Sequence, residues 1–177
     1  MKLLAFAASS SSKSINKQLA TYAASQVQHS DGVEIEILDL NNYELPLFSE
    51  DREAELGQPQ LAQDFLAKLA QADAIIISFA EHNGYYTSAY KNLFDWTSRI
   101  NRELYQNKPM VLLSTSPGPR GAATVLAAAS AATPNFAGNV KASLSIPSFY
   151  DNFDMEKQVL TNPELIDKLN SALALLS

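Results

Sequence analysis

A doubly wound α/β domain, with a parallel sheet covered by helices on both faces, is the fold class this sequence predicts. Two patterns carry that expectation. Five short runs are apolar through their length rather than alternating, which marks strands buried on both faces. Between them stand segments with helical spacing of apolar residues, and such alternation builds parallel sheets with right-handed crossovers. At 177 residues the chain suits one domain with a full core, so a single domain over 1–177 is expected.

The strand candidates are residues 2–7, 33–38, 74–79, 110–115 and 140–146, and the helix candidates 15–28, 60–71, 88–101, 121–132 and 163–176. The opening run superficially resembles a short signal peptide. Its periodicity continues into a helix rather than a cleavage site, so it is read as the first strand. In the 88–101 helix, Tyr90, Leu93, Phe94, Thr97 and Ile100 form an apolar stripe. Lys91, Asp95 and Arg99 recur at four-residue spacing on the other side, where they can form ion pairs. Residues 41–59 are the longest irregular connection, and long connections in compact domains are often functional. Its Tyr43, Leu45, Leu47 and Phe48 either cover a ligand or partner subunit or pack under their own loop, and the second is favoured.

Composition excludes several classes of function. The chain has no cysteine, which removes disulfides, thiolate catalysis and thiolate metal sites. Its two histidines, His29 and His82, are far apart in sequence, so no metal site is expected. A net charge of −6 argues against nucleic-acid and anionic-membrane partners. No apolar run reaches membrane-spanning length, and a cytoplasmic location is expected.

In open α/β sheets ligands bind beyond the carboxyl ends of the strands, where strand order reverses. Three turns meet that condition, and all three are unusual. The first, Ala8 to Asn16, reads Ala-Ser-Ser-Ser-Ser-Lys-Ser-Ile-Asn between a strand and a helix. Its hydroxyls and the free N–H groups of the helix start suit an anion. It lacks the glycine and lysine spacing of triphosphate and dinucleotide loops, which leaves a small terminal phosphate. A serine-rich helix cap would read the same way, and both readings stand on this segment alone. The second turn runs Ala80-Glu81-His82-Asn83-Gly84-Tyr85-Tyr86-Thr87; its Asn-Gly is a strong turn signal and Gly84 allows close backbone approach. The third runs Ser116-Pro117-Gly118-Pro119-Arg120-Gly121 into another helix start.

With these turns the chain resembles the NADPH-dependent FMN reductase family of flavodoxin-like proteins. The family's first loop, Gly-Ser-x-Arg-x-x-Ser-x-Asn, is matched by Ala8, Ser9, Ser14 and Asn16, with Ser11 standing at the Arg. Its middle motif, Pro-Glu-Tyr-Asn-Gly-Ser followed by Leu-Lys-Asn-x-x-Asp-Trp-x-Ser-Arg, is matched by Glu81, Asn83 and Gly84. Lys91, Asn92, Asp95, Trp96, Ser98 and Arg99 continue the match. The third motif, Ser-Pro-Gly and a glycine-rich helix start, is matched by Ser116, Pro117, Gly118 and Gly121. The likeness spans the first four strands. It departs at Ser11, at Ala80 for Pro, at His82 for Tyr, at Tyr85 for Ser and at Thr87 for Pro. With a charge lost at Ser11, phosphate affinity would rest on hydroxyls and backbone.

The resemblance implies a flavodoxin-like, three-layer sandwich with a five-stranded parallel sheet in the order 2-1-3-4-5. It implies FMN as cofactor, with Ser9, Ser11, Ser14, Asn16 and the Ile15 amide at the 5′-phosphate. Glu81, His82, Asn83 and Gly84 would follow the isoalloxazine edge. Ser116, Pro117, Gly118, Arg120 and Gly121 would close the N1 and O2 side, where a helix N-terminus would stabilise the reduced ring. No catalytic acid or base is expected, because the cofactor supplies the chemistry. The implied activity takes hydride from NADPH, with NADH possible, to bound FMN and on to a small acceptor: a flavin, quinone, azo or nitro compound. A homodimer or homotetramer is implied, with Trp96 near the subunit contact. The alternatives are a flavodoxin-type electron carrier and a flavin-binding regulatory module.

Overall fold

Hydrophobic runs become central strands here because both faces of the sheet are covered. The computed structural model describes residues 1–27 and 32–176. Strands β1 (Lys2–Ala8), β3 (Ala74–Phe79) and β4 (Pro109–Thr115) are buried almost end to end. Strands β2 (Glu34–Leu38) and β5 (Asn139–Ile146) lie at the edges and carry polar residues on exposed positions. All five are parallel, in the order β2-β1-β3-β4-β5. This is the expected doubly wound sheet. Side chains leave a strand on alternate faces, so the chain has two cores. One joins Leu4, Phe6, Ile75, Ile77 and Leu112 to α3 (Gln60–Gln71), α4 (Ser88–Ile100) and α5 (Ala123–Ala132). The other joins Leu3, Ala5, Ile76, Val111 and Leu113 to α1 (Ile15–Val27) and α7 (Pro163–Leu173). Gln28, at the end of the first expected helix, and His29 lie outside the described residues.

One side chain ties the ligand edge of the sheet together. Asn16, in the first turn of α1 and 2% exposed, donates from Nδ2 to the Thr115 carbonyl at 3.1 Å. Its Oδ1 accepts from the Thr115 amide at 3.0 Å and from the Ser78 hydroxyl at 2.8 Å. A single carboxamide thereby fixes the first turn against β3 and the end of β4.

The 41–59 connection is more regular than its sequence predicts. A 3₁₀ turn spans Leu40–Tyr43, with the Asp39 carboxylate accepting from the Asn41 amide. Helix α2 (Glu50–Leu56) follows; Ser49 accepts from the Arg52 amide, and Gly57, at φ +68°, ends it. Helix α2 buries none of its residues, so hydrophobic periodicity is silent and only the capping pattern announces it. Tyr43 and Leu45 pack against the core, while Leu47 is exposed.

Helix α4 holds this connection as a strap. Asn92 accepts from the Phe48 amide at 2.8 Å and donates to the carbonyls of Leu45 and Pro46 at 3.1 Å. The Trp96 indole N–H donates to the Pro46 carbonyl at 2.8 Å, beneath the edge-on ring of Phe48. Trp96 is wholly buried within its own chain, which corrects its expected place at a subunit contact. Lys91 pairs with Asp95 as expected, but Arg99 reaches Glu53 of α2 instead. The buried face of α4 is Tyr90, Leu93, Trp96 and Thr97; Phe94 and Ile100 are half-buried. After β5 comes a short helix, α6 (Phe149–Asn152). A two-stranded hairpin follows, β6 (Phe153–Asp154) and β7 (Val159–Leu160), too short to leave a periodic signal.

Three outcomes are expected. Asn16→Ala strands the Thr115 amide and carbonyl and the Ser78 hydroxyl, costing about 3 kcal/mol in urea unfolding; an unchanged midpoint would refute the tie. Asn92→Ala releases the strap and should bring tryptic cleavage at Arg52 well before global unfolding. The Lys17 ammonium, followed by the Asn41 amide, holds the Asp39 carboxyl below its ordinary value. Its contribution is therefore complete above the ordinary carboxylate range and is lost as pH falls through the lowered value. Asp39→Asn should flatten that acid limb by no more than about 1 kcal/mol, because the pair is partly exposed.

Candidate functional site

The three turns meet at the carboxyl edge of the sheet, around the reversal of strand order between β1 and β3. They enclose an open cleft of about 250 Å³. The first turn supplies one wall through a ladder of local hydrogen bonds. Ser9 Oγ accepts from the Ser11 amide, Ser11 Oγ from the Lys13 amide, and Ser14 Oγ from the Lys17 amide. Ser14 is therefore the helix cap. Ser9 and Ser14 are each 8% exposed and line the cleft, and each hydroxyl retains its own proton for donation. The amides of Ile15 and Asn16, in the first turn of α1, have no intrahelical acceptor. The capping and anion readings of this turn describe the same residues.

The second turn closes tightly. The amides and carbonyls of His82 and Tyr85 exchange hydrogen bonds at 3.0 and 3.1 Å across Asn83 and Gly84. Both intervening residues have positive φ, 53° and 80°, the type I′ geometry that Asn-Gly favours. Gly84 is thus explained by its backbone angle; a methyl there would meet only Thr124 at 4.0 Å. Tyr85 leans on Tyr86, 4.6 Å between ring centres, and burial pushes the Tyr86 phenol up to about 12. Thr87 caps α4 and donates to the Ala8 carbonyl at 2.9 Å, which binds the second turn to the first.

The third turn differs from expectation. Helix α5 starts at Ala123, because Ala122 adopts the left-handed conformation. The Glu81 carboxylate accepts from the Val125 amide at 2.9 Å, so the chain's own charge already faces this helix N-terminus. Gly121 sits at φ +56°, and a Cβ there would lie 2.3 Å from Ser145 Oγ and 2.7 Å from the Ile146 carbonyl. Close packing on β5 accounts for it.

Of the residues singled out from sequence, the cleft gathers Ser9, Ser11, Ser14, Ile15, Asn16, Glu81, His82, Ser116 and Pro117. Asn83, Gly84, Gly118, Arg120 and Gly121 do not line it. Four lining residues were not among the expected site residues: Ala80 and Thr115 at the strand ends, and Lys13 and Tyr150. Lys13 stands inside the serine turn, and its charge was the available signal. Tyr150 is placed only by folding: the Ser116 carbonyl accepts from the Phe149 amide and the Gly118 carbonyl from the Ser148 amide, bringing α6 to the cleft. A second cavity, about 350 Å³, lies on the other flank of the first turn, between Ser10, the strap and the start of α4. Among the described residues no group of acidic, histidine or cysteine side chains could hold a metal ion. No helix among them is long and apolar enough to cross a membrane.

Comparison with known proteins places this geometry. An NAD(P)H-dependent FMN reductase of Pseudomonas aeruginosa is 34% identical over 92 residues, 52% of this chain and 48% of that protein. A 2-hydroxy-1,4-benzoquinone reductase of a Burkholderia species is 33% identical over 111 residues, 62% of this chain and 57% of that one. The chain thus spans about half the length of these curated relatives. Among solved structures, the flavoenzyme NAD(P)H:(acceptor) oxidoreductase FerB of Paracoccus denitrificans superposes with a TM-score of 0.74 at 20% identity. That match covers 98% of this chain and 93% of FerB. A flavodoxin of Pseudomonas aeruginosa superposes at 0.59 with 13% identity, covering 99% of each chain. These likenesses show the flavodoxin-like fold. The family model of the NADPH-dependent FMN reductases matches residues 1–150, and the chain belongs to that family.

Proposed function

We propose that this chain is an FMN-dependent NAD(P)H oxidoreductase acting on a small acceptor such as a flavin, quinone, azo or nitro compound. The observation that carries the reading is the donor set of the first turn. Two nine-tenths-buried hydroxyls with protons to give, Ser9 and Ser14, face the same cleft as the unsatisfied Ile15 and Asn16 amides. That set fits a phosphate monoester, which offers several acceptor oxygens and a negative charge for the helix N-terminus.

Ser9, Ser11, Ser14 and the α1 amides would hold the phosphate. Asn16 contributes its backbone only, since its side chain is committed to Thr115 and Ser78. Residues 80–82, Ser116 and Pro117 would flank the remainder. When bound, FMN supplies two-electron chemistry between a reduced nicotinamide and an organic acceptor. The chain supplies position and exclusion of water, and needs no side-chain acid or base. The cleft is below the usual ~300–1,000 Å³ of cofactor sites, so the ring end would extend over the 82–85 turn and Tyr150. A second copy of the chain, in a homodimer or homotetramer, would cover it. A cytoplasmic setting goes with the same reading, since reduced nicotinamides are the reductant.

Purified protein given FMN should show a bound-flavin spectrum, and anaerobic NADPH or NADH should bleach it before any acceptor is added. Binding without bleaching by either nucleotide would point to an electron carrier. A chain that ignores FMN would sink the proposal. Ser9→Ala/Ser14→Ala should weaken FMN at least tenfold and leave riboflavin affinity unchanged.

A further inference from the structure

Resting on the flavin reading above, we propose that Lys13 supplies the positive charge opposite the cofactor phosphate. The hydroxyl and amide donors of the first turn are neutral, and a phosphate dianion held by them alone keeps its full charge. The turn fixes Lys13 at the cleft wall: its amide donates to Ser11 Oγ at 3.3 Å, and the Ser14 amide donates to the Ser11 carbonyl at 3.2 Å. Lys13 therefore stands between the cleft-lining Ser11 and Ser14.

Among the described residues its ammonium has no hydrogen-bond or ion-pair partner. The chain carries 19 acidic residues against 13 basic ones, so cations have carboxylates to find. Lys2, Lys17, Lys68, Lys91, Lys157 and Lys168 all do, and Lys108 donates to the Ala70 carbonyl; Lys141, Arg102 and Arg120 share the lack of an ion pair among those residues but do not line the cleft. Among the described residues no carboxylate lies within ion-pair distance of Lys13. Lys17, the next cation along α1, is held by Asp39 and is not available. Arg120 does not line the cleft. The Glu81 carboxylate, which does line it, is engaged by the Val125 amide. Lys13 is thus the cation lining this cleft among the described residues, beside the neutral donors that would grip a phosphate. The charge that Ser11 lacks is provided two residues further on, as a flexible ammonium rather than a planar guanidinium.

The test compares FMN with riboflavin, which carries the same ring without the phosphate, using fluorescence quenching on the purified full chain. Lys13→Ala should weaken FMN about tenfold, leave riboflavin unchanged and flatten the dependence of FMN affinity on salt. Lys13→Arg should keep FMN affinity, and Ser11→Arg added to Lys13→Ala should restore most of it. Wild-type FMN affinity in Lys13→Ala, or an equal loss for FMN and riboflavin, would overturn the assignment. If wild-type protein binds riboflavin and FMN equally, a flavin site stands but the phosphate charge falls. If it binds neither, the flavin reading itself fails and this inference with it. Circular dichroism and the urea midpoint of Lys13→Ala should match wild type, because the side chain is exposed.

Discussion

The Asn16 carboxamide is the contact on which the ligand edge depends. It is buried, uses its oxygen twice and its nitrogen once, and joins the start of α1 to β3 and β4 in one step. A buried amide of this kind is costly to leave unpaired, so the arrangement is held nearly all-or-none. Because the Ile15 and Asn16 amides belong to the same helical turn, the tie also fixes the direction of these amides at the cleft. Thr87 does the corresponding work for the second turn, capping α4 while gripping the Ala8 carbonyl. The cleft is therefore built from rigid elements rather than from loops left to find their own positions.

The Lys91 to Arg99 pattern has a mechanical meaning in this fold. Asn92, Trp96 and Arg99 do not approach the cleft; they fasten the strap that follows β2. The strap in turn forms one wall of the cavity on the far side of Ser10. A motif that marks the family is here a clamp between α4 and a polar connection, placed one helix turn away from the second turn of the site. Its polar groups are satisfied by carbonyls of the strap, which explains how a tryptophan and an asparagine can sit at the inner face of a surface helix.

The fold was legible because burial on both faces leaves an unambiguous mark: Leu-Leu-Ala-Phe and Ile-Ile-Ile-Ser-Phe can only be central strands in a chain that alternates them with helices. The serine turn and the Asn-Gly turn were legible because their chemistry is local. Helix α2 was not, since it buries nothing. The roles of Glu81 and Gly121 were not legible either. Glu81 caps a helix 44 residues away in sequence, and Gly121 is required by the backbone of β5. Both lie in family motifs; Glu81 also lines the cleft, while Gly121 stands off it against β5.

By itself the sequence determined the strand and helix alternation, the class of the sheet and the presence of an anion-suited turn, because each is written in contiguous residues and their periodicity. Tertiary structure alone decided which residues share the cleft. It brought Tyr150 in from beyond β5, paired Lys17, the next cation along α1, with Asp39, and committed the Asn16 and Glu81 side chains to the scaffold. The reason is physical: a side chain's availability depends on the partners that folding brings to it, and those partners are distant in the chain.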